Sequence, residues 1–292
     1  MRHWYTRIVA ILCAVLMLVT ASVSPGDARS EGDLNRLRAD VMTALQQARP
    51  GENFRPDPKD PARILSDRIT VDVTNLYNQV TAFPDDPTAP IIEDFVAGML
   101  ASMEQPEAIR VEELVTVLRS AGYIEYLETR GTPYISRPVT GGLHAILMRD
   151  TPRAYQTVGP DAFPDKSAEA LLEIGTGNAA RFLPDLASEP YDDFALYYIG
   201  GETNLTNALA LMPEFWATVS ARFGEDFVFV MPRRDQLFVF GGRSEDVLVK
   251  AVTMIDVTFA DQFNLLSSEV YAIENGQIVP VWTPQQGVLP RL

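Results

Sequence analysis

Two groups of residues in this chain have the types and spacing needed for chemistry. Pro232-Arg233-Arg234-Asp235 sets two guanidiniums beside a carboxylate in a turn between the apolar runs Phe227–Met231 and Leu237–Phe240. Two guanidiniums can grip a carboxylate or phosphate while the aspartate orients one of them. The same four residues also suit a solvated turn, because Pro and Asp are turn formers. The second group is His144, Asp150 and Asp235, a histidine and two carboxylates that would serve a hydrolase or transferase only if all three converge in one cleft. Each has a simpler role: His144 sits in the apolar run Leu143–Leu147, and Asp150 precedes the turn residues Thr151-Pro152. No GxSxG elbow, HExxH zinc motif or P-loop is present.

A third stretch, Leu172-Glu173-Ile174-Gly175-Thr176-Gly177-Asn178-Ala179-Ala180, resembles the first motif of Rossmann-type methyltransferases and the GxGxxA dinucleotide fingerprint. In those folds the glycines turn a strand tightly into a helix so that backbone can approach the cofactor. The residues before Gly175 read instead as a helix start rich in helix formers, from Asp165 through Leu172. The expectation is a glycine-containing helix and no cofactor. Asp192-Asp193 beside Glu189 lacks the spacing of an EF-hand calcium loop, and no metal site is expected.

The elements that must hold these residues begin after an export signal. Arg2 and Arg7 precede the apolar run Ile8–Val19, and small or turn-forming residues follow through Ser22, Ser24, Pro25 and Ala28. That order is the one found in secretory signal peptides, and the run is shorter than the ~20 residues of a spanning helix. Cleavage near Ser24 or Ala28 would leave a periplasmic or secreted bacterial protein without a membrane span. It would also remove Cys13, the one cysteine, and His3, leaving His144 as the sole histidine. Disulfides, thiolate metal sites and cysteine nucleophiles are then excluded. The 292-residue chain has 24 basic and 39 acidic residues; cleavage at Ala28 leaves 22 and 38. Such an acidic chain, with Lys59, Lys166 and Lys250 its only lysines, is repelled by nucleic acid.

Residues 31–48 carry Leu34, Leu37, Val41 and Leu45 at helical spacing, and Pro50-Gly51 ends that helix. The prolines at 56, 58 and 61 leave room only for short edge strands or loop, and Ile69, Val71 and Val73 alternate as a half-buried strand. A further helix starts at Pro90, and Gln105-Pro106 is the expected boundary between a module over 31–105 and a domain over 107–292. Beyond it strand pairs alternate with helices. The pairs are 143–148 with 154–158, 182–187 with 194–199, 227–231 with 237–240, and 270–273 with 278–282. Helices are expected over 166–181, from Leu205 with a restart at Pro213, and after the N-cap Ser244; Asn275-Gly276 signals a hairpin. This pattern predicts an α+β fold with antiparallel or mixed sheets covered by helices, in two modules.

Several of these segments together resemble the YtpQ-like family, which is defined as a domain of unknown function. The resemblance rests on Arg137-Pro138, Leu147–Pro152, the helix with Asn178, Val230–Leu237, Leu266–Tyr271 and Asn275–Ile278, and covers about 134–282. It implies a two-part α+β protein without an assigned activity or ligand. The functional expectation is therefore a non-enzymatic, exported binding or chaperone-like protein. Arg233, Arg234 and Asp235 at a hairpin tip would meet an unidentified anionic small molecule or a partner protein.

Overall fold

A computed structural model describes residues 31–67, 69–82, 84–103, 108–151, 155–200, 203–259 and 265–284. The signal-peptide segment, the expected boundary at Gln105-Pro106, and Pro152 lie outside the described residues.

The first module combines helix α1 (Glu31–Ala48), strands β1 (Arg55–Pro56), β2 (Arg63–Leu65) and β3 (Thr70–Asp72), and helices α2 (Thr74–Ala82) and α3 (Thr88–Met103). Its three strands are antiparallel in the order β1-β2-β3. The helical stripe read from sequence is the buried one: Leu37, Val41 and Leu45 pack with Ile64, Val71, Ile92 and Val96. This core draws only on residues between Leu34 and Leu100, and the other three cores only on residues from Ile109 onward.

Two antiparallel sheets make up the rest. Strands β4 (Leu114–Ser120), β5 (Ser136–Thr140), β6 (Leu143–Asp150) and β7 (Tyr155–Thr157) form one, with β6 central, β4 on one side and β5 and β7 in succession on the other. Between β4 and β5 lies helix α4 (Ala121–Thr129). The second sheet takes β8 (Leu186–Pro190), β9 (Phe194–Ile199), β10 (Phe227–Val230), β11 (Leu237–Gly241), β12 (Val270–Glu274) and β13 (Gln277–Trp282) in the order β13-β12-β10-β11-β9-β8. The inner faces share one core: Val115, Val117, Ile146 and Met148 from the first sheet meet Tyr197, Phe229, Val239 and Tyr271 from the second. The 3-10 segment Thr203–Leu211 and helix α6 (Pro213–Phe223) add Leu205, Leu209, Phe215 and Val219 to it. Helix α5 (Ala168–Ala179) covers the outer face of the first sheet through Leu171 and Leu172, and α7 (Glu245–Phe259) covers that of the second through Ala251, Val252 and Ile255. The result is an α+β fold of helix, sheet, shared core, sheet and helix.

Local signals behave as their chemistry dictates. Asn275 and Gly276 adopt φ of 52° and 74°, the left-handed pair that a two-residue hairpin needs. Gly224 closes α6 at φ 75°. One reading needs correction. Residues 180–185 form a 3-10 helix rather than the start of a strand, so β8 begins at Leu186; Pro184 lacks the amide a ladder would use. The helix expected from Leu205 is a 3-10 segment over Thr203–Leu211, and α6 restarts at Pro213.

Candidate functional site

Arg119 stands at the end of β4, two residues beyond Val117 and four beyond Val115, so strand alternation puts it on the same face as both, the face turned to the second sheet. It is 4% exposed. Its cross-strand partner is His144, next to Val117↔Ile146 and Val115↔Met148. One donor is used: Nη1 donates to the Leu118 carbonyl oxygen at 2.8 Å. Its guanidinium carbon lies 5.7 Å from the centre of the Tyr123 ring. The buried Nε has no hydrogen-bond partner, and no carboxylate pairs with Arg119 among the described residues.

The turn between β10 and β11 brings a second set of guanidiniums. Contrary to the expected exposed hairpin tip, this turn is buried. Arg233 is 2% exposed and is clasped by Asp235, with Nε and Nη2 donating to its two carboxylate oxygens at 3.1 and 3.0 Å. A bidentate pair of this kind fixes both groups. Asp235 therefore holds Arg233 in place, and Arg233 belongs to the interior scaffold of the turn. The segment after α7 braces the turn further: Leu266 and Ser267 donate their amides to the carbonyls of Pro232 and Met231, and Arg233 bridges to Leu265. Arg234 is half-buried and lies close enough to Arg119 for the two charges to repel.

Asn207 sets that closeness. Fully buried in the 3-10 segment, it accepts from the Leu118 amide at 2.7 Å and donates Nδ2 to the Arg234 carbonyl oxygen at 3.0 Å. One side chain thus ties the strand bearing Arg119 to the turn bearing Arg234. It also satisfies an amide on the edge of β4 that does not pair with β6, a position that would otherwise be an orphan. Asn178 does the same at the start of that edge, donating to the carbonyls of Val111 and Leu114 at 2.7 and 3.0 Å.

Electrostatically, Arg119 has no opposite charge paired with it among the described residues. Burial, with repulsion from Arg234, pushes the Arg119 guanidinium down to about 9. Burial also lowers Arg234, against the pull of Asp235. Placing a guanidinium in a low-dielectric interior without an opposite charge costs several kcal/mol by the general behaviour of buried ions, roughly what an arriving anion would recover.

No family model, no curated protein and no solved structure matches this chain.

His144 and Asp150 sit on one strand, six residues apart, which places their backbones roughly 20 Å from each other at the rise of an extended chain. Asp150 instead pairs with Arg181 at 2.8 Å, beside the Arg149–Glu113 pair at 2.8 Å. Burial raises its carboxyl above the usual range despite that arginine. The convergence that a His144, Asp150 and Asp235 catalytic group requires is absent. The stretch Gly175–Ala180 runs through the end of α5 into the following 3-10 helix, with Ser167 capping α5 and no strand ending at Ile174. Gly175 is there for close approach: a Cβ on it would come within 2.5 Å of Thr116 Oγ1 and 2.8 Å of Leu147 Cδ1. Glycine lets the helix lie directly on β4 and β6, and Asn178 supplies the edge bonds. No group of three or more acidic, histidine or cysteine side chains suited to a metal occurs among the described residues.

Arg119 was not among the residues singled out from sequence. The run Leu114-Val115-Thr116-Val117-Leu118-Arg119 marks a strand, but both of its faces are buried, so alternation alone does not single out the arginine.

Proposed function

We propose that the mature chain is an exported binding protein that captures a small anionic group, free or carried by a partner protein, at Arg119 and Arg234 between its two larger sheets. The observation that carries this reading is Arg119: a buried guanidinium with an unpartnered Nε and, among the described residues, no carboxylate paired with it, held next to a second guanidinium through Asn207. Charge-assisted hydrogen bonds to carboxylate or phosphate are what such a pair makes best. The role expected for Arg233 passes to Arg119, and Asp235 acts by fixing Arg233. Export is supported by the order of charged, apolar and small residues at the start of the chain.

We also propose that residues 134–282 belong to the YtpQ-like family. Two of the segments that carry the resemblance, Val230–Leu237 and Leu266–Tyr271, are hydrogen-bonded to each other at this site. Isothermal titration with inorganic phosphate tests the binding reading. Saturable binding is expected, weakened about tenfold or more in Arg119→Met, as loss of a charge-assisted hydrogen bond of ~1.5 kcal/mol or more requires. Equal affinity in the two proteins would exclude Arg119 as the anion's partner.

A further inference from the structure

Arg119 is the inner end of a row of side chains that runs outward along α4. Its guanidinium lies 5.7 Å from the centre of the Tyr123 ring. The Tyr123 and Tyr126 rings are 6.3 Å apart and inclined by only 27°, and the Arg130 guanidinium lies 5.1 Å from the Tyr126 ring. Tyr123, Tyr126 and Arg130 share one face of α4 and its C-cap by their helical spacing, and Arg119, buried at the end of β4, meets the inner end of that row through Tyr123. Tyr123 is half-buried, while Tyr126 is 42% exposed, the exposed large hydrophobic side chain among the described residues. A tyrosine left in water on a helix needs no explanation when isolated. This one continues an aromatic surface that begins at a buried, uncompensated cation, and a second cation flanks its outer end.

We infer that the ligand is a small organic anion bearing an aromatic ring, its anionic group at Arg119 and Arg234 and its ring against Tyr123 and Tyr126. The part of the Tyr126 ring left in water beyond its contacts with Tyr123 and Arg130 gains by covering another ring, in offset or edge-on geometry. The two arginines at the ends of the row fit an anionic ligand and disfavour a cationic one. This inference rests on the anion-binding reading above and adds the ring.

The test compares phenyl phosphate with inorganic phosphate by isothermal titration of the mature protein and of Tyr126→Ala, a surface variant chosen to leave Arg119 and the core in place. Phenyl phosphate should bind the unsubstituted protein about five- to tenfold more tightly than phosphate, the advantage of one aromatic pair. Tyr126→Ala should lose that advantage while keeping its affinity for phosphate. Equal affinity for the two anions, or an advantage that survives in Tyr126→Ala, overturns the ring and leaves the anion site standing. Binding of neither anion overturns both. A circular-dichroism melt of Tyr126→Ala that matches the parent confirms that any loss is local.

Discussion

Replacing Arg119 with methionine should make the ligand-free protein more stable. The substitution keeps most of the aliphatic stem and removes the charge. Burial and repulsion from Arg234 push the guanidinium down to about 9, and holding such a charge in the interior without an opposite charge costs several kcal/mol. Two favourable contacts are lost with it. The bond to the Leu118 carbonyl contributes ~1.5–3 kcal/mol as a charged hydrogen bond, and the contact with the Tyr123 ring contributes ~1 kcal/mol. The balance is a gain of about 1–2 kcal/mol, or roughly 2–8 °C in Tm. Thermal unfolding followed by circular dichroism at pH 7, in a buffer without phosphate or carboxylate, measures it directly. Arg119→Lys, which keeps the buried charge, should show no gain. A fall of Tm by several degrees in Arg119→Met would mean that the charge is neutralised within the fold, and the reasoning that assigns it to a ligand would fail.

Three further substitutions have defined outcomes. Asp235→Ala leaves the buried Arg233 without the two bonds that clasp it, and urea unfolding should show a loss of ~3–5 kcal/mol, the usual cost of stranding one member of a buried pair. Gly175→Ala forces a methyl against Thr116 and Leu147 and should cost ~1–3 kcal/mol by the same method, as overpacked cores do. Glu113 is subject to burial, which alone would raise its carboxyl, but hydrogen bonds from Arg110 and Arg149 together hold it below the usual range. A depressed carboxyl stabilises the fold above its unfolded pKa and loses that contribution as pH falls through the folded value. Glu113→Gln should therefore cost ~1 kcal/mol at pH 7, and the gap between the two proteins should close as unfolding is followed below about pH 4.

Sequence patterns that depend on local physics were legible. The apolar stripe of α1, the hairpin at Asn275-Gly276 and the restart at Pro213 all follow from spacing, φ preference or the missing proline amide. So did the α+β class, since strand pairs joined by turns build antiparallel sheets. The site was legible only in half. The pair Arg233 and Asp235 stands out by charge, but adjacency in sequence suggests an exposed tip. Burial of that turn comes from partners far along the chain, Asn207 on one side and Leu265–Ser267 on the other. Arg119 was harder still. Nothing in Leu118-Arg119-Ser120 indicates that a strand ends there against a second sheet, because the contact between the sheets is set by packing. The stretch around Gly175 was legible as a helix from the helix formers before it, and the reason for its glycine, close approach to Thr116 and Leu147, lies in the packing of that helix on the sheet.

The most direct test of the account is a crystal structure of the mature protein soaked in tungstate, an anion that anomalous scattering locates without ambiguity. A tungstate is expected within hydrogen-bonding distance of Arg119 Nε, between that residue and Arg234, and none there in crystals of Arg119→Met. Tungstate bound elsewhere on the molecule, with nothing at Arg119 in the unsubstituted protein, would contradict it.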